Sequence, residues 1–146
     1  GRAAVTRRRG CASIPAFCKG GNTMTIKEAI AITDRLGPNQ YEWEDKVRWL
    51  SELDGVAYRE VLLTHELEAG EFRAYTPDTD PDTELLIESP YDEAYRWYLD
   101  MKIAEANGEG DRYNASAGSY NQYYTAWANF INRSFLPRMP ADHFRL

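Results

Sequence analysis

Cysteine is nearly missing from this chain. There are two, Cys11 and Cys18, both within the first 23 residues, and residues 24–146 contain none. The spacing of the pair fits no zinc or redox signature, so disulfide staples and thiolate metal centres are excluded from the body of the chain. Histidine is as scarce: only His65 and His143 occur. No second histidine follows His65-Glu66 four residues on, so the zinc-protease helix pattern is missing. His65 near the end of a predicted helix reads as a capping or surface residue, where the helix dipole favours a cation. There is no G-x-S-x-G elbow and no phosphate-binding G-x-x-x-x-G-K-[ST] loop. No apolar run approaches the ~20 residues that cross a bilayer, and apolar positions are interleaved with charge throughout, so no membrane association is predicted. With no convergent acid, base and nucleophile, the expectation is a protein that is not an enzyme and takes no cofactor.

What is present is length enough for one domain. The 146 residues, with 43% hydrophobic and 27% charged positions, can bury a sizeable core without staples. The net charge of -6 is unevenly spread. Residues 1–23 carry Arg2, Arg7, Arg8, Arg9 and Lys19 and no acid, so the remainder carries a net charge of -11. A body that acidic is a poor wrapper of phosphate backbones, since binding DNA relies on cations that replace its counterions. It suits either an ordinary solvated surface or a wall that DNA slides past. The basic lead, 1–23, is broken by Gly10, Pro15, Gly20 and Gly21. It has no continuous apolar stretch of the kind a targeting peptide carries. Met24 reads as the natural first residue, with the lead as upstream sequence or an arm that orders only on a partner.

From Met24 on, the periodicity predicts four helices. Thr25 and Glu28 form a capping box, and Ile26, Ala29, Ile30 and Thr33 carry the first helix to about Leu36. Gly37-Pro38-Asn39 stops it, with the glycine expected in the left-handed conformation. The second helix runs from near Glu42 to about His65 on Val47, Leu50, Leu53, Ala57 and Val61. Gly55 in its middle costs ~1 kcal/mol relative to alanine and marks a close crossing or a bend. Residues 66–88 read as a connection containing either a small hairpin of 71–75 with 85–87 or an irregular acidic loop. Asp78, Asp80, Asp82 and Glu84 alternate there like the start of a calcium loop. Thr83 stands where that loop needs glycine, and Pro81 stiffens the chain, so a solvated acidic turn is expected. The third helix spans Tyr91 to about Asn107. Asn107-Gly108-Glu109-Gly110 is a helix–helix turn, not a phosphate site, since no strand precedes it and acids surround it. The fourth helix runs from Asp111 to about Arg133, antiparallel to the third. The tail, 137–146, is broken by Pro137 and Pro140 and is expected to dock, on a neighbour or back on its own domain.

Residues 89–133 hold seven of the ten tyrosines and two of the four tryptophans. Tyrosine has a large rigid body and a hydroxyl that tolerates water, which suits helix cores and protein interfaces alike. A base-stacking platform would need interleaved Arg and Lys, and here they are sparse. Tyr91, Tyr95, Tyr98, Tyr120, Tyr124 and Trp127 fall on the core stripes. Trp97 and Tyr123 fall off them and are the candidates for subunit contact, together with the apolar residues Phe135, Leu136, Phe144 and Leu146 of the C-terminal stretch.

Certain segments carry a resemblance: Asp82-Thr83-Glu84-Leu85-Leu86; Pro90-Tyr91-Asp92-Glu93 with Tyr95, Tyr98 and Leu99; Asn107-Gly108-Glu109; and Tyr113-Asn114. The opening Met24-Thr25-Ile26-Lys27-Glu28-Ala29-Ile30 and Leu53-Asp54-Gly55 with Tyr58-Arg59-Glu60 belong with them. Together they resemble the head–tail connector proteins of tailed phages and prophages of Gram-positive bacteria, over nearly all of residues 24–136. The resemblance implies an all-α, four-helix fold and a structural virion protein without catalytic residues. It further implies a ring of about twelve copies in the virion neck, built in the bacterial cytoplasm. Its partners would be itself, the portal protein and a stopper or tail-completion protein, with DNA passing through the lumen unbound. From another class, a helical protein-binding or regulatory module acting as a monomer or dimer fits the same residues.

Overall fold

The computed structural model describes residues 23–67 and 69–138. The basic lead up to residue 22 and the stretch 139–146, with Phe144 and Leu146, lie outside the described residues. The fold is all-α, with four α-helices among the described residues: α1 (Ile26–Leu36), α2 (Trp43–Ala57), α3 (Glu93–Asn107) and α4 (Gly110–Ser134).

The start of α1 follows from Thr25 and Glu28. The Thr25 hydroxyl accepts from the Glu28 amide at 3.2 Å, and the Glu28 carboxylate accepts from the Thr25 amide at 3.0 Å. Two orphan donors are thereby satisfied at once. Its end differs from the expectation. Gly37 caps α1 at φ -149, ψ 83, outside the left-handed region. Glycine is needed there for room instead: a Cβ would stand 3.3 Å from Arg112 Nη2. The left-handed glycine is Gly108, φ 76, which closes α3 so that Glu109 N–H reaches Ala104 O at 2.9 Å. That turn sends α4 back along α3, pairing Asp100 with Arg112, Tyr98 with Tyr120 and Tyr91 with Phe130.

The second helix does not continue to His65. The α-helix ends at Ala57 and passes into a π-helical turn, Tyr58–Leu62, where Leu63 N–H bonds Tyr58 O at 2.9 Å. The wider turn keeps Val61 and Leu62 inside while Arg59 and Glu60 stay in solvent. It also aims the Tyr58 hydroxyl at Gly70 O. At Gly55 no backbone crosses. An added Cβ would meet only the Phe72 ring, at an ordinary 3.7 Å.

Residues 66–88 form no hairpin. Within the described residues the β-type pairing is limited to two isolated bridges, Thr25 with Glu84 and His65 with Pro137. The stretch 85–87 instead runs through the core, with Leu85 and Ile87 fully buried and Leu86 nearly so. Its amides are taken by side chains and by the chain entering α1: Leu85 N–H bonds Met24 O at 2.9 Å. Three fully buried apolar residues bind this connection more tightly than a solvent-facing hairpin edge would. A cis peptide bond joins Ser89 to Pro90 just ahead of α3.

The core draws on every element: Ile26 and Ile30, Leu50 and Leu53, Leu62, Leu85 and Ile87, Tyr95 and Leu99, Trp127 and Ile131. Of the six aromatics expected to build it, Tyr95 and Trp127 are fully enclosed. Tyr91, Tyr98, Tyr120 and Tyr124 lie half-buried against it. Tyr98, Tyr120, Tyr124 and Trp127 form a continuous column, each ring centroid 5.1–5.8 Å from the next.

Candidate functional site

The centre of polar organisation is Asp54, a carboxylate with no solvent exposure on the inward face of α2. An acid is carried inside only if its oxygens are satisfied, and here three donors converge. Tyr95 Oη donates to Oδ1 at 2.6 Å, Tyr75 Oη to Oδ2 at 2.5 Å, and Leu86 N–H to Oδ2 at 3.2 Å. The Tyr95 hydroxyl also accepts from Ile87 N–H at 2.6 Å. One carboxylate thus ties α2, α3 and both ends of the 75–87 connection together. Burial drives both phenols well above their ordinary range, and the Asp54 charge raises them further. They stay protonated and act as donors, not as bases. The cluster is a fastening. In the sequence Asp54 stands out only within the resemblance, although Leu50, Asp54 and Ala57 share one helical face and place an acid at a core position.

A second polar cluster fixes the α3–α4 turn. Asp100 accepts from Arg112 Nη2 and Ser116 Oγ, both at 2.5 Å. Burial alone would push its carboxyl up, but these two hydrogen bonds and the Arg112 charge outweigh that and hold it below the usual carboxylate range. On the α1–α2 side, buried Lys46 reaches Asp34 at 2.7 Å.

His65 is buried, against the reading of a surface residue. The capping part has a counterpart: Nδ1 lies 2.7 Å from Val61 O in the last turn. The other ring nitrogen, Nε2, lies 2.6 Å from Asn132 Oδ1 and so links the end of the second helix to α4. Arg138 covers the same place, donating to His65 O at 3.0 Å and Leu67 O at 2.9 Å. The start of the tail is therefore folded back on its own domain. Acids in the 78–84 turn are held by local bonds, Asp82 N–H to Asp80 Oδ1 at 2.9 Å and Lys27 to Asp82 at 3.3 Å. No group of three or more His, Cys, Asp or Glu among the described residues could hold a metal ion. No helix among them is long and apolar enough to cross a membrane.

The proposed contact residues among those described differ in exposure. Trp97 on α3 stands apart from the core cluster, with the Arg96 guanidinium 4.0 Å from its ring centre. Leu136 is 69% exposed. Tyr123 and Phe135 are half-buried against the core and offer only part of each ring. Three exposed apolar residues escaped the sequence reading: Leu36, Val56 and Leu63. Val56 and Leu63 border a groove of about 750 Å³ together with Arg59, Glu60, Phe72, Tyr98 and Lys102. Their seven-residue spacing on a helical stretch was the available signal. Burial, with Glu52 and Glu105 nearby, pushes the Tyr98 phenol up to about 12.

Comparison with models of known protein families, with curated proteins and with solved structures gives no match to this chain.

Proposed function

We propose that this chain is a structural subunit of the neck of a tailed phage or prophage, a head–tail connector that assembles as a ring of about twelve copies between portal and tail. The observation that carries the reading is the Asp54 network. Residues on which the resemblance rests, Asp54, Leu86 and Tyr95, meet in one buried fastening. They fix an architecture, as the fastenings of a scaffold subunit would, and burial beside Asp54 keeps the Tyr95 phenol protonated. Ring assembly requires two different faces on each subunit, one meeting the other on the next copy. Trp97 on α3 and the exposed Leu136 beyond α4 supply apolar surface at separate places. The acidic body would leave DNA mobile in the lumen, and the stopper or tail-completion protein would take the far rim. The protein would reside in the virion neck, after assembly in the bacterial cytoplasm.

Native mass spectrometry of the full chain, alone and mixed with a portal protein from the same phage or prophage, tests this. The expected result is a ring of about twelve subunits, free or on the portal. A strict monomer or dimer that leaves the portal unbound would overturn the reading and favour a helical binding module.

A further inference from the structure

The groove beside Val56 and Leu63 has apolar walls rimmed by Glu52, Arg59, Glu60 and Lys102. Val56 is 45% and Leu63 44% exposed, and Phe72 and Tyr98 line it further. We propose that this groove is the seat of the chain's own residues 139–146.

The path of the chain supports this occupant. Pro137 pairs antiparallel with His65, and Arg138 N–H bonds Thr64 O at 2.6 Å. Residue 138 is thus held at Thr64, one position from the groove residue Leu63. Along a helix Leu63 and Val56 are separated by ~10 Å. Eight residues in extended form reach up to ~26–29 Å, enough to run the full groove. The segment carries apolar side chains to place there, Met139, Phe144 and Leu146. In an extended chain Phe144 and Leu146 fall on one face, ~7 Å apart. Asp142 falls on that face too, and the groove holds Arg59 as a cation for it, beside Lys102, which pairs with Glu52 and Glu105. Because the segment is tethered at Arg138, its effective concentration at the groove lies in the millimolar range, so modest contact area suffices. The inference stands apart from the connector reading, since it needs no second subunit.

The test uses the near absence of cysteine. In the full chain, Cys11→Ser and Cys18→Ser remove every native thiol. Glu60→Cys places a thiol at an exposed position of the groove wall, and His143→Cys places one on the segment without touching Phe144 or Leu146. Under limiting oxidant, an internal disulfide within single chains is expected. Its rate should fall about tenfold when Val56→Asp and Leu63→Asp spoil the seat and leave the tether intact, since seating then no longer raises the local concentration. Equal rates with and without the two aspartates would show that the segment is not seated there and overturn the proposal. A disulfide between chains, read as a dimer or ladder on a non-reducing gel, would overturn it by assigning the groove to the tail of another copy.

Discussion

Single residues decide how this fold is fastened, and Tyr95 is the sharpest case. Its hydroxyl donates to Asp54 and accepts from Ile87 N–H in a site closed to water. Tyr95→Phe keeps the ring, removes the acceptor of Ile87 N–H and takes one donor from Asp54, which keeps Tyr75 and Leu86. A buried group left without its partner costs ~1–3 kcal/mol, so urea denaturation should show a loss of that size with the helical content unchanged. Asp54→Ala should cost more, roughly 3 kcal/mol or above, because two phenols and an amide lose their acceptor together. Asp100 gives a pH-dependent counterpart. Burial would raise its carboxyl, but bonds from Arg112 and Ser116 and the Arg112 charge lower it on balance. A folded-state value below the unfolded ~3.9 means that the stabilisation is complete above that unfolded value. It disappears as pH falls through the lower, folded value. Asp100→Asn should therefore be less stable than the parent by ~1–2 kcal/mol at pH 7, with the two stability curves converging as pH falls through the lowered folded-state value of Asp100. Curves that stay parallel down to acid pH would show that the pair is not the source.

At the scale of elements, the helices were legible because periodicity reports a buried face directly. The capping box, the ends of α1 and α4 near Leu36 and Ser134, and the Gly108 turn all stood in the residue pattern. What escaped was set by contacts distant in sequence. The π turn at Tyr58–Leu62 depends on Gly70 and on packing of Val61 and Leu62, and no local pattern announces it. The stretch 85–87 looked like an edge strand because three consecutive apolar residues fit either role; the Asp54 carboxylate and Met24 carbonyl took its amides. Gly37 was read correctly as a stop but for the wrong reason, since the crowding comes from Arg112 on α4. Gly55 is the testable remainder. It sits inside α2 with φ in no special region, and an added methyl would meet Phe72 at an ordinary contact distance. Gly55→Ala should then raise stability by ~0.5–1 kcal/mol through helix propensity alone. A loss measured by thermal unfolding would mean that the glycine serves the bend into the π turn.

For the whole molecule the decisive separation is between what holds a subunit together and what joins subunits. The C-terminal stretch crosses that line at Arg138, whose guanidinium and amide bind the carbonyls of Thr64, His65 and Leu67. A chain ending at Arg138 should keep those bonds and the helical fold. One ending at Leu136 should lose ~1–3 kcal/mol as charge-assisted bonds are removed. Trp97 lies on the other side of the line. Tyr95, two residues earlier on α3, is fully enclosed, whereas Trp97 is partly buried, outside the core cluster, with the Arg96 guanidinium over its ring. A cation over an exposed ring adds only ~0.5–1 kcal/mol to the monomer. A tryptophan at the centre of an interface typically carries 2 kcal/mol or more of binding when truncated. Trp97→Ala should therefore lower monomer stability by less than ~1 kcal/mol in urea. The same variant should weaken ring formation, read as subunit association by native mass spectrometry, by tenfold or more per contact. Tyr95→Phe should do the reverse, softening the subunit and leaving association of the folded fraction near the parent level. If Trp97→Ala lost stability and assembly to the same extent, the ring would be packed on some other face of this domain.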